Sequence, residues 1–164
     1  MNKDTAERVK RLKQEVKDLG RNPKDYRYDY GAMNAWRRSG AWVYILIPNN
    51  REAIVNWTDF VERELYHKRW ANSSSNPLLD YPHTNVLSLD DKPKKLYLHH
   101  AVMGAKAGCV IDHINGDHYD CRSWNLRHGT TEQNNQNRHP RSKAAGSTRK
   151  NRPADVHYVQ LLNY

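Results

Sequence analysis

The fold is decided by the stretch Val110-Ile111-Asp112-His113-Ile114-Asn115-Gly116-Asp117. Val110 and Ile111 are β-branched and predict a short strand, and the dipeptide Asn115-Gly116 is typical of a tight turn. The segment from Trp124 to His128 has the composition of a second strand that returns from this turn. The sequence therefore predicts a short β-hairpin at this point of the chain.

A helix is predicted directly after the hairpin. Thr130 is a good N-cap, and Gln133 stands three residues later, so that the two residues complete a capping box. The helix should end by His139, because Pro140 disfavours the helical conformation in the residue before it. A hairpin followed by a helix is thus the expected core of the protein.

Four polar side chains should come close together in such a unit. They are Asp112 and His113 from the first strand, Asn125 from the second, and Asn134 from the first turn of the helix. A carboxylate and an amide oxygen suit Mg²⁺ or Mn²⁺ far better than zinc. Because one carboxylate does not offset a dication, we expect weak metal binding that tightens when a substrate phosphate adds negative charge. Asp112 and His113 point to opposite sides of a regular strand, so both can serve one site only where the strand ends or bends.

These residues resemble the HNH, or ββα-metal, nucleases, and most closely the phage and intron homing endonucleases whose last motif residue is Asn. The matching segments are Leu98-His99-His100-Ala101-Val102-Met103-Gly104, residues 110–117, Asn125-Leu126-Arg127 and Gln133-Asn134-Asn135-Gln136-Asn137-Arg138. Residues 55–70 also resemble the segment that precedes the motif in this subgroup. His100 and Ala101 stand where Arg and Leu are common, but this departure leaves the central residues untouched.

The resemblance implies a role for each central residue. His113 matches the general base, Asn125 the residue that braces the loop holding that base, and Asp112 and Asn134 the metal ligands. Asn125 follows His113 by 12 residues and Asn134 follows Asn125 by nine, which fits the subgroup. The implied cofactor is one divalent ion, Mg²⁺ or Mn²⁺. The implied activity is hydrolysis of phosphodiester bonds, by which the protein nicks or cuts double-stranded DNA.

The charge of the chain is compatible with a nucleic-acid partner. Lys and Arg number 27 against 18 Asp and Glu, so the net charge is +9, and the pI is near 9.6. Such a field attracts polyanions in a salt-sensitive and sequence-independent way, although by itself it is weak evidence. Hydrophobic residues make up 37% and the mean hydropathy is −1.03, so we expect a small core.

No apolar stretch approaches the roughly 20 residues of a membrane helix, and no apolar signal region follows Met1. We therefore expect no membrane partner and a cytoplasmic location, which is the host cytoplasm if the protein is phage-encoded. The two cysteines, Cys109 and Cys121, form no C-x-x-C pair. A disulfide framework is not expected, and a four-ligand zinc site would need histidines in addition.

We divide the chain into an N-terminal helix and basic aromatic segment at 1–40, a nuclease domain at 41–139 with its core motif at 98–138, and a basic arm with the C-terminal end at 140–164. The fold class is α+β, with the ββα-metal motif, an N-terminal helix, a small mixed strand and helix region, and the basic arm. Residues 4–19 predict an amphipathic helix. We favour docking of its apolar stripe on the protein over DNA contact or self-association, and leave a homodimer open.

Aromatic residues accompany the basic residues of the segment 21–40. Tyr26, Tyr28, Tyr30 and Trp36 either contact DNA bases or form core, and we favour core. Further along, Trp42 to Ile47 predicts a strand, Thr58 to Trp70 a helix, and Ala71 to Pro93 a long connection or a mobile hairpin. We expect His83 at the surface.

A basic arm follows the motif. Its interspersed prolines and glycine predict an extended conformation that follows a phosphate backbone or enters a minor groove. We favour DNA contact over a solvated tail, because the arm leaves the predicted metal-binding helix directly. The candidate DNA-contacting residues are His99, Arg127, Arg138, Arg141, Lys143, Arg149 and Lys150.

Two other functions fit the sequence. One is a non-catalytic DNA-binding protein on an HNH scaffold, which the intact set of four central residues argues against. The other is an HNH nuclease with a different role, such as phage packaging or colicin-like degradation of DNA. A cleavage map separates these roles, because a single long target implies homing and scattered cuts imply degradation or packaging.

Overall fold

A computed structural model of the protein describes residues 3–29, 33–48, 50–76 and 79–137. These residues form a mixed α+β fold of small antiparallel sheets and short helices. In chain order the elements are α1 (Lys3–Asp18), β1 (Trp36–Ser39), β2 (Trp42–Ile47), β3 (Arg51–Asn56), α2 (Trp57–Glu62), β4 (Ala71–Asn72), β5 (Pro82–Leu87), β6 (Pro93–Tyr97), α3 (Leu98–Met103), β7 (Val110–His113), β8 (Leu126–Gly129) and α4 (Thr131–Asn137). None of the described helices is both long and apolar enough to cross a bilayer.

The first sheet has the strand order β1-β2-β3, and the predicted strand at Trp42–Ile47 is its central member. Val43, Ile45 and Ile47 are buried, whereas Trp42 faces solvent on the other side of the sheet. This alternation follows from the two-residue period of a strand. The boundary predicted between the segments 1–40 and 41–139 falls in the turn between β1 and β2. These two strands are hydrogen-bonded to each other, so one sheet contains residues from both segments.

Helix α1 docks on the rest of the protein, as the apolar stripe predicts. Val16 is fully buried in a cluster with Tyr26, Ala35 and Leu46. Tyr26 and Trp36 are only 6% and 5% exposed, so both are core residues, as we favoured, and the alternative in which they stack on DNA bases is wrong for these two.

The helix predicted from Thr58 to Trp70 is shorter in the structure. Helix α2 ends at Glu62, Glu64 adopts φ +48°, and a turn of 3-10 helix follows. Asn34 explains the break, because its side chain accepts from the backbone N–H of Trp70 at 2.8 Å and donates to the Trp70 carbonyl at 2.9 Å. These long-range hydrogen bonds hold Trp70 in the core, and they override the local preference for helix.

A second sheet, with the order β4-β5-β6, occupies much of the segment that we predicted as a connection or mobile hairpin. His83 lies on β5 opposite Tyr97 and is 8% exposed, so the prediction of a surface position is wrong. Burial lowers the pKa of its imidazole. The strand was hard to recognise because half of its residues are polar and it begins with Pro82.

The predicted hairpin and helix are present at the end of the described chain. Strand β7 pairs with β8, with Asp112 opposite Arg127 and His113 opposite Leu126. The second strand begins at Leu126 instead of Trp124, because residues 123–125 form a 3-10 turn. The capping box is confirmed: the Thr130 N–H donates to Gln133 Oε1 at 2.9 Å, and the Gln133 N–H donates to Thr130 Oγ1 at 3.2 Å.

The loop of the hairpin is joined to the first sheet. The Ile54 N–H donates to the Tyr119 carbonyl and the Cys121 N–H donates to the Ile54 carbonyl, both at 2.8 Å. A parallel bridge thus adds the loop to the edge of β3. Tyr119 and Cys121 are almost fully buried in the same core cluster as β2 and β3. The first sheet and the hairpin therefore share one core.

Candidate active site

Asp112 lies near the end of β7 and is 5% exposed. Its cross-strand neighbour Arg127 donates to Asp112 Oδ2 from Nη2 at 2.8 Å and from Nε at 3.1 Å. The side chain of Arg127 is 49% exposed. The half-exposed guanidinium of Arg127 at the outer side of this carboxylate is well suited to bind a phosphate.

His113, the last residue of β7, is 4% exposed. Its Nε2 lies 3.8 Å from Cys121 Sγ, and the edge of its ring meets His99 at a centroid distance of 5.0 Å. Burial lowers the pKa of His113 to about 4, and the nearby His118 adds to this effect against the opposing charge of Asp112. The imidazole is therefore neutral at pH 7 and able to accept a proton.

Asn125 is completely buried and braces the loop that follows His113. Its Oδ1 accepts from the Asn115 N–H at 3.1 Å, and its Nδ2 donates to Asn115 Oδ1 at 2.9 Å and to the Asp120 carbonyl at 2.8 Å. Its backbone carbonyl also accepts from the Ile114 N–H at 2.8 Å. One side chain thus fixes both ends of the turn directly behind the imidazole.

Asn134 lies in α4, where its N–H donates to the Thr130 carbonyl at 3.0 Å, and its side chain is half-buried. Helix α4 packs against β7. The element that carries Asn134 is therefore in contact with the strand that carries Asp112. The geometry of a hairpin followed by a capped helix places these two residues on neighbouring elements although they are 22 positions apart in the sequence.

The oxygen donors fit a weakly held, hard dication. Across the described ranges, no group of three His, Cys, Asp or Glu side chains is arranged to hold a metal ion. The protein side chains available are the Asp112 carboxylate and the Asn134 amide, which are of the kind that Mg²⁺ and Mn²⁺ accept alongside water and substrate phosphates. Arg127 already shares the charge of Asp112, which is a further reason to expect weak binding without a phosphate.

The segment that contains these residues matches a known family. Residues 97–136 match the HNH endonuclease family model. The segment is an HNH motif, as its residues suggested, and the match covers α3, the hairpin and most of α4. It does not distinguish the homing subgroup from other HNH nucleases. Searches of curated proteins and of solved structures returned no match.

The HNH motif is supported from outside by Asp80, a residue that our sequence analysis missed. Asp80 is 1% exposed, and its carboxylate accepts from the N–H groups of Ser73 and Ser74 at 2.7 and 3.1 Å and from the Tyr119 hydroxyl. Its carbonyl lies 3.1 Å from Nδ1 of His118. Asp80 thus holds the motif loop against the second sheet. No signal in the local sequence marks this role, because Asp80 stands in a polar, turn-rich segment.

Aromatic rings surround the imidazole of the HNH motif. Tyr81 stacks on His118 with centroids 3.9 Å apart and an interplanar angle of 13°. The same Tyr81 ring lies 6.0 Å from His113 and 5.4 Å from His99. Cys121 completes the surroundings, and burial raises the pKa of its thiol well above the usual value, so that it is protonated. The ring of His113 is therefore packed against several neighbouring side chains.

The remaining candidate residues have different positions. His99 is 6% exposed and stacks on Tyr97 at 5.6 Å, and this burial argues against the direct DNA contact that we predicted for it. Arg127 lies beside Asp112, which is one of the two predicted metal ligands. The other candidates, Arg138, Arg141, Lys143, Arg149 and Lys150, and the predicted basic arm at 140–164 lie outside the described residues.

Proposed function

We propose that this protein is a metal-dependent DNA endonuclease that uses the HNH motif to hydrolyse phosphodiester bonds in duplex DNA. The observation that carries the proposal is the neutral imidazole of His113 beside the carboxylate of Asp112, on a strand that packs against the helix bearing Asn134. The family match to an HNH endonuclease and the net charge of +9 support it. The proposed arrangement is the ββα-metal motif.

His113 acts as the general base. Its neutral ring accepts a proton from a water molecule, whose oxygen forms the new bond to phosphorus while the bond to the 3′ oxygen breaks. The departing oxygen takes up a proton from solvent, and the products are a 5′ phosphate and a 3′ hydroxyl. General-base catalysis of this type contributes about 10²- to 10⁴-fold to the rate.

The other residues orient the reactants. Asp112 and Asn134 hold the divalent ion, which supplies positive charge beside the phosphate when it is bound. When DNA binds, the exposed guanidinium of Arg127 turns from Asp112 towards a phosphate oxygen. This exchange is feasible because carboxylates and phosphates both accept charge-assisted hydrogen bonds from a guanidinium. Asn125 keeps the loop and thereby His113 in place, since small displacements of a catalytic group cost much of the rate.

The test is cleavage of supercoiled plasmid by the purified protein with Mg²⁺ or Mn²⁺. We expect nicked or linear DNA from the wild type and at least 10²-fold slower cleavage by His113→Ala, because the base is lost. A gel-shift assay without metal should show that this variant still binds DNA. The matched control is His67→Ala, which changes an exposed histidine outside the HNH motif and should cleave normally. Cleavage that survives in His113→Ala would remove the proposed base.

Asn134 as the last motif residue favours a homing-type role within this function. Sequencing the cleaved ends of a genomic library in Mn²⁺ tests it. One long recognition site is expected for a homing endonuclease, whereas cuts scattered over the library would indicate packaging or degradation. Binding without any cleavage of the plasmid or the library would instead indicate a non-catalytic DNA-binding protein.

A further inference from the structure

Two exposed tryptophans, Trp42 from the first sheet and Trp124 from the HNH motif, flank the motif residue Arg122. The guanidinium of Arg122 lies over the ring of Trp42 at 4.4 Å and over the ring of Trp124 at 4.6 Å, measured to the ring centroids. Trp42 is 39% exposed and Trp124 is 57% exposed. We call these three residues the tryptophan platform. Two neighbouring exposed indole rings form an apolar surface of the kind that marks a binding site when it is contiguous.

The tryptophan platform is rigid. The guanidinium of Arg122 donates to both carboxylate oxygens of Asp120, at 2.7 and 2.6 Å, and Asp120 is itself 2% exposed. The following residue, Ser123, donates to Asn56 Oδ1 from its N–H at 2.9 Å and its hydroxyl at 3.2 Å. The stacking surface is therefore formed before any ligand arrives, which lowers the entropic cost of binding.

Hydrogen bonds connect the tryptophan platform to the loop of the active site. Asp120 accepts from Asn115 Nδ2 at 3.1 Å, and Asn115 in turn accepts from Asn125 Nδ2 at 2.9 Å. Trp124 directly precedes Asn125 in the sequence. The platform is thus part of the same rigid loop that positions His113, so a ligand that occupies it also lies next to the HNH motif.

We propose that the tryptophan platform stacks an unpaired nucleobase of the DNA substrate, so that the enzyme prefers DNA with a gap, bulge or flap near the cleaved bond. This inference rests on the proposed nuclease function. A base is planar and stacks on the exposed faces of aromatic rings such as Trp42 and Trp124. The faces of bases are hidden within a continuous duplex, so only an unpaired base can reach Trp124. The net charge of +9 matches the polyanionic backbone that would carry that base.

The test compares two labelled DNAs of the same sequence, a continuous duplex and a duplex with a short single-stranded gap. Binding is followed by fluorescence anisotropy without metal, so that no cleavage occurs. We expect the full-length wild-type protein to bind the gapped DNA about 5- to 150-fold more tightly, which is the effect of stacking one base. Oligo-dT should also quench the intrinsic tryptophan fluorescence.

The variants separate stacking from simple hydrophobic contact. Trp124→Phe keeps an aromatic ring and should retain the preference for gapped DNA, whereas Trp124→Leu keeps apolar area without a ring and should lose it. Circular dichroism melting of both variants should match the wild type, because Trp124 is mostly exposed. Equal binding of both DNAs by the wild type, or a preference that persists in Trp124→Leu, would overturn the inference.

The outcome is independent of the nuclease test. If the preference for gapped DNA is present but neither DNA is cleaved with Mg²⁺ or Mn²⁺, the proposed function fails and the platform remains a DNA-binding surface. If both DNAs are cleaved and bound equally, the platform proposal fails and the nuclease function remains.

Discussion

Hydrogen bonds from the side chain of Asn125 hold the loop behind His113, and they show how one buried amide can determine the position of a catalytic group. In Asn125→Ala, the carbonyl of the buried Asp120 loses its partner inside the protein, and the exposed Asn115 loses the bonds that join it to Asn125. We expect the free energy of unfolding to fall by about 1–3 kcal/mol, which is the cost of one unpaired buried polar group. The loop would also relax, so DNA cleavage should slow by at least about tenfold.

Urea unfolding and plasmid nicking measure these two effects of Asn125→Ala. The matched control is Asn85→Ala, which removes an exposed asparagine from β5 and should leave both quantities close to the wild type. Unchanged stability of Asn125→Ala would show that the loop does not depend on this side chain.

At the same scale, the motif residues could be recognised from the sequence because they stand close together in one segment with fixed intervals. Asp80 could not, since its partner Tyr119 is 39 residues away and only the fold brings them together. Cys121 is fully buried beside His113. The position of Cys121 depends on the pairing of the hairpin loop with β3, and no local sequence pattern predicts that pairing.

At the scale of elements, the capping box at the start of α4 determines how well Asn134 is held. Thr130→Ala removes the side chain that accepts from the Gln133 N–H, and N-cap replacements of this kind cost about 1 kcal/mol. Because α4 is short, we expect its first turn to fray and the Mg²⁺ concentration needed for half-maximal cleavage to rise several-fold. Thr131→Ala, one residue further into the helix, serves as the control and should need no more Mg²⁺ than the wild type.

A titration of cleavage rate against Mg²⁺ measures this effect of Thr130→Ala. A rate that falls equally at all Mg²⁺ concentrations would contradict the prediction, because saturating metal should compensate for a looser ligand.

Elements with strong local signals were predictable. The alternation along Trp42–Ile47, the apolar stripe of α1 and the Thr130 cap each have a periodicity or a pair of residues that defines them. The helix predicted at 58–70 was too long because long-range bonds from Asn34 to Trp70 override the local preference. The second sheet was anticipated only as one of two alternatives, a hairpin within residues 71–93, because its strands pair through the backbone while many of their side chains are polar.

At the scale of the whole molecule, burial of several histidines makes stability depend on pH. Burial is the main cause that lowers the pKa values of His83, His99, His100 and His118. An unfolded histidine has a pKa near 6.5, so below about pH 6.5 the unfolded chain binds more protons than the folded one. The free energy of unfolding should therefore fall as the pH drops from 7 to 5, by up to about 1.4 kcal/mol per pH unit for each such histidine.

His99 gives the clearest test, because it is buried and its pKa is lowered well below the usual value, first by burial and then by the neighbouring histidines 100, 113 and 118. His99→Phe keeps a planar ring and removes the titrating group. Urea unfolding of the metal-free protein at pH 7 and pH 5 should show a smaller loss of stability in this variant, by up to about 1.4 kcal/mol per pH unit. An identical pH dependence in both proteins would contradict this account.

The parallel bridge between Ile54 and the hairpin loop has a consequence for modularity. A fragment that began at residue 97 would retain every position of the family match, yet it would lose the strand that pairs with the Tyr119 carbonyl and the Cys121 N–H. Tyr119 and Cys121 would then be exposed to solvent, because the apolar residues of β2 and β3 that cover them would be absent. Such a fragment is not a self-sufficient unit, and a graft of this nuclease onto another scaffold must carry the upstream strands with it.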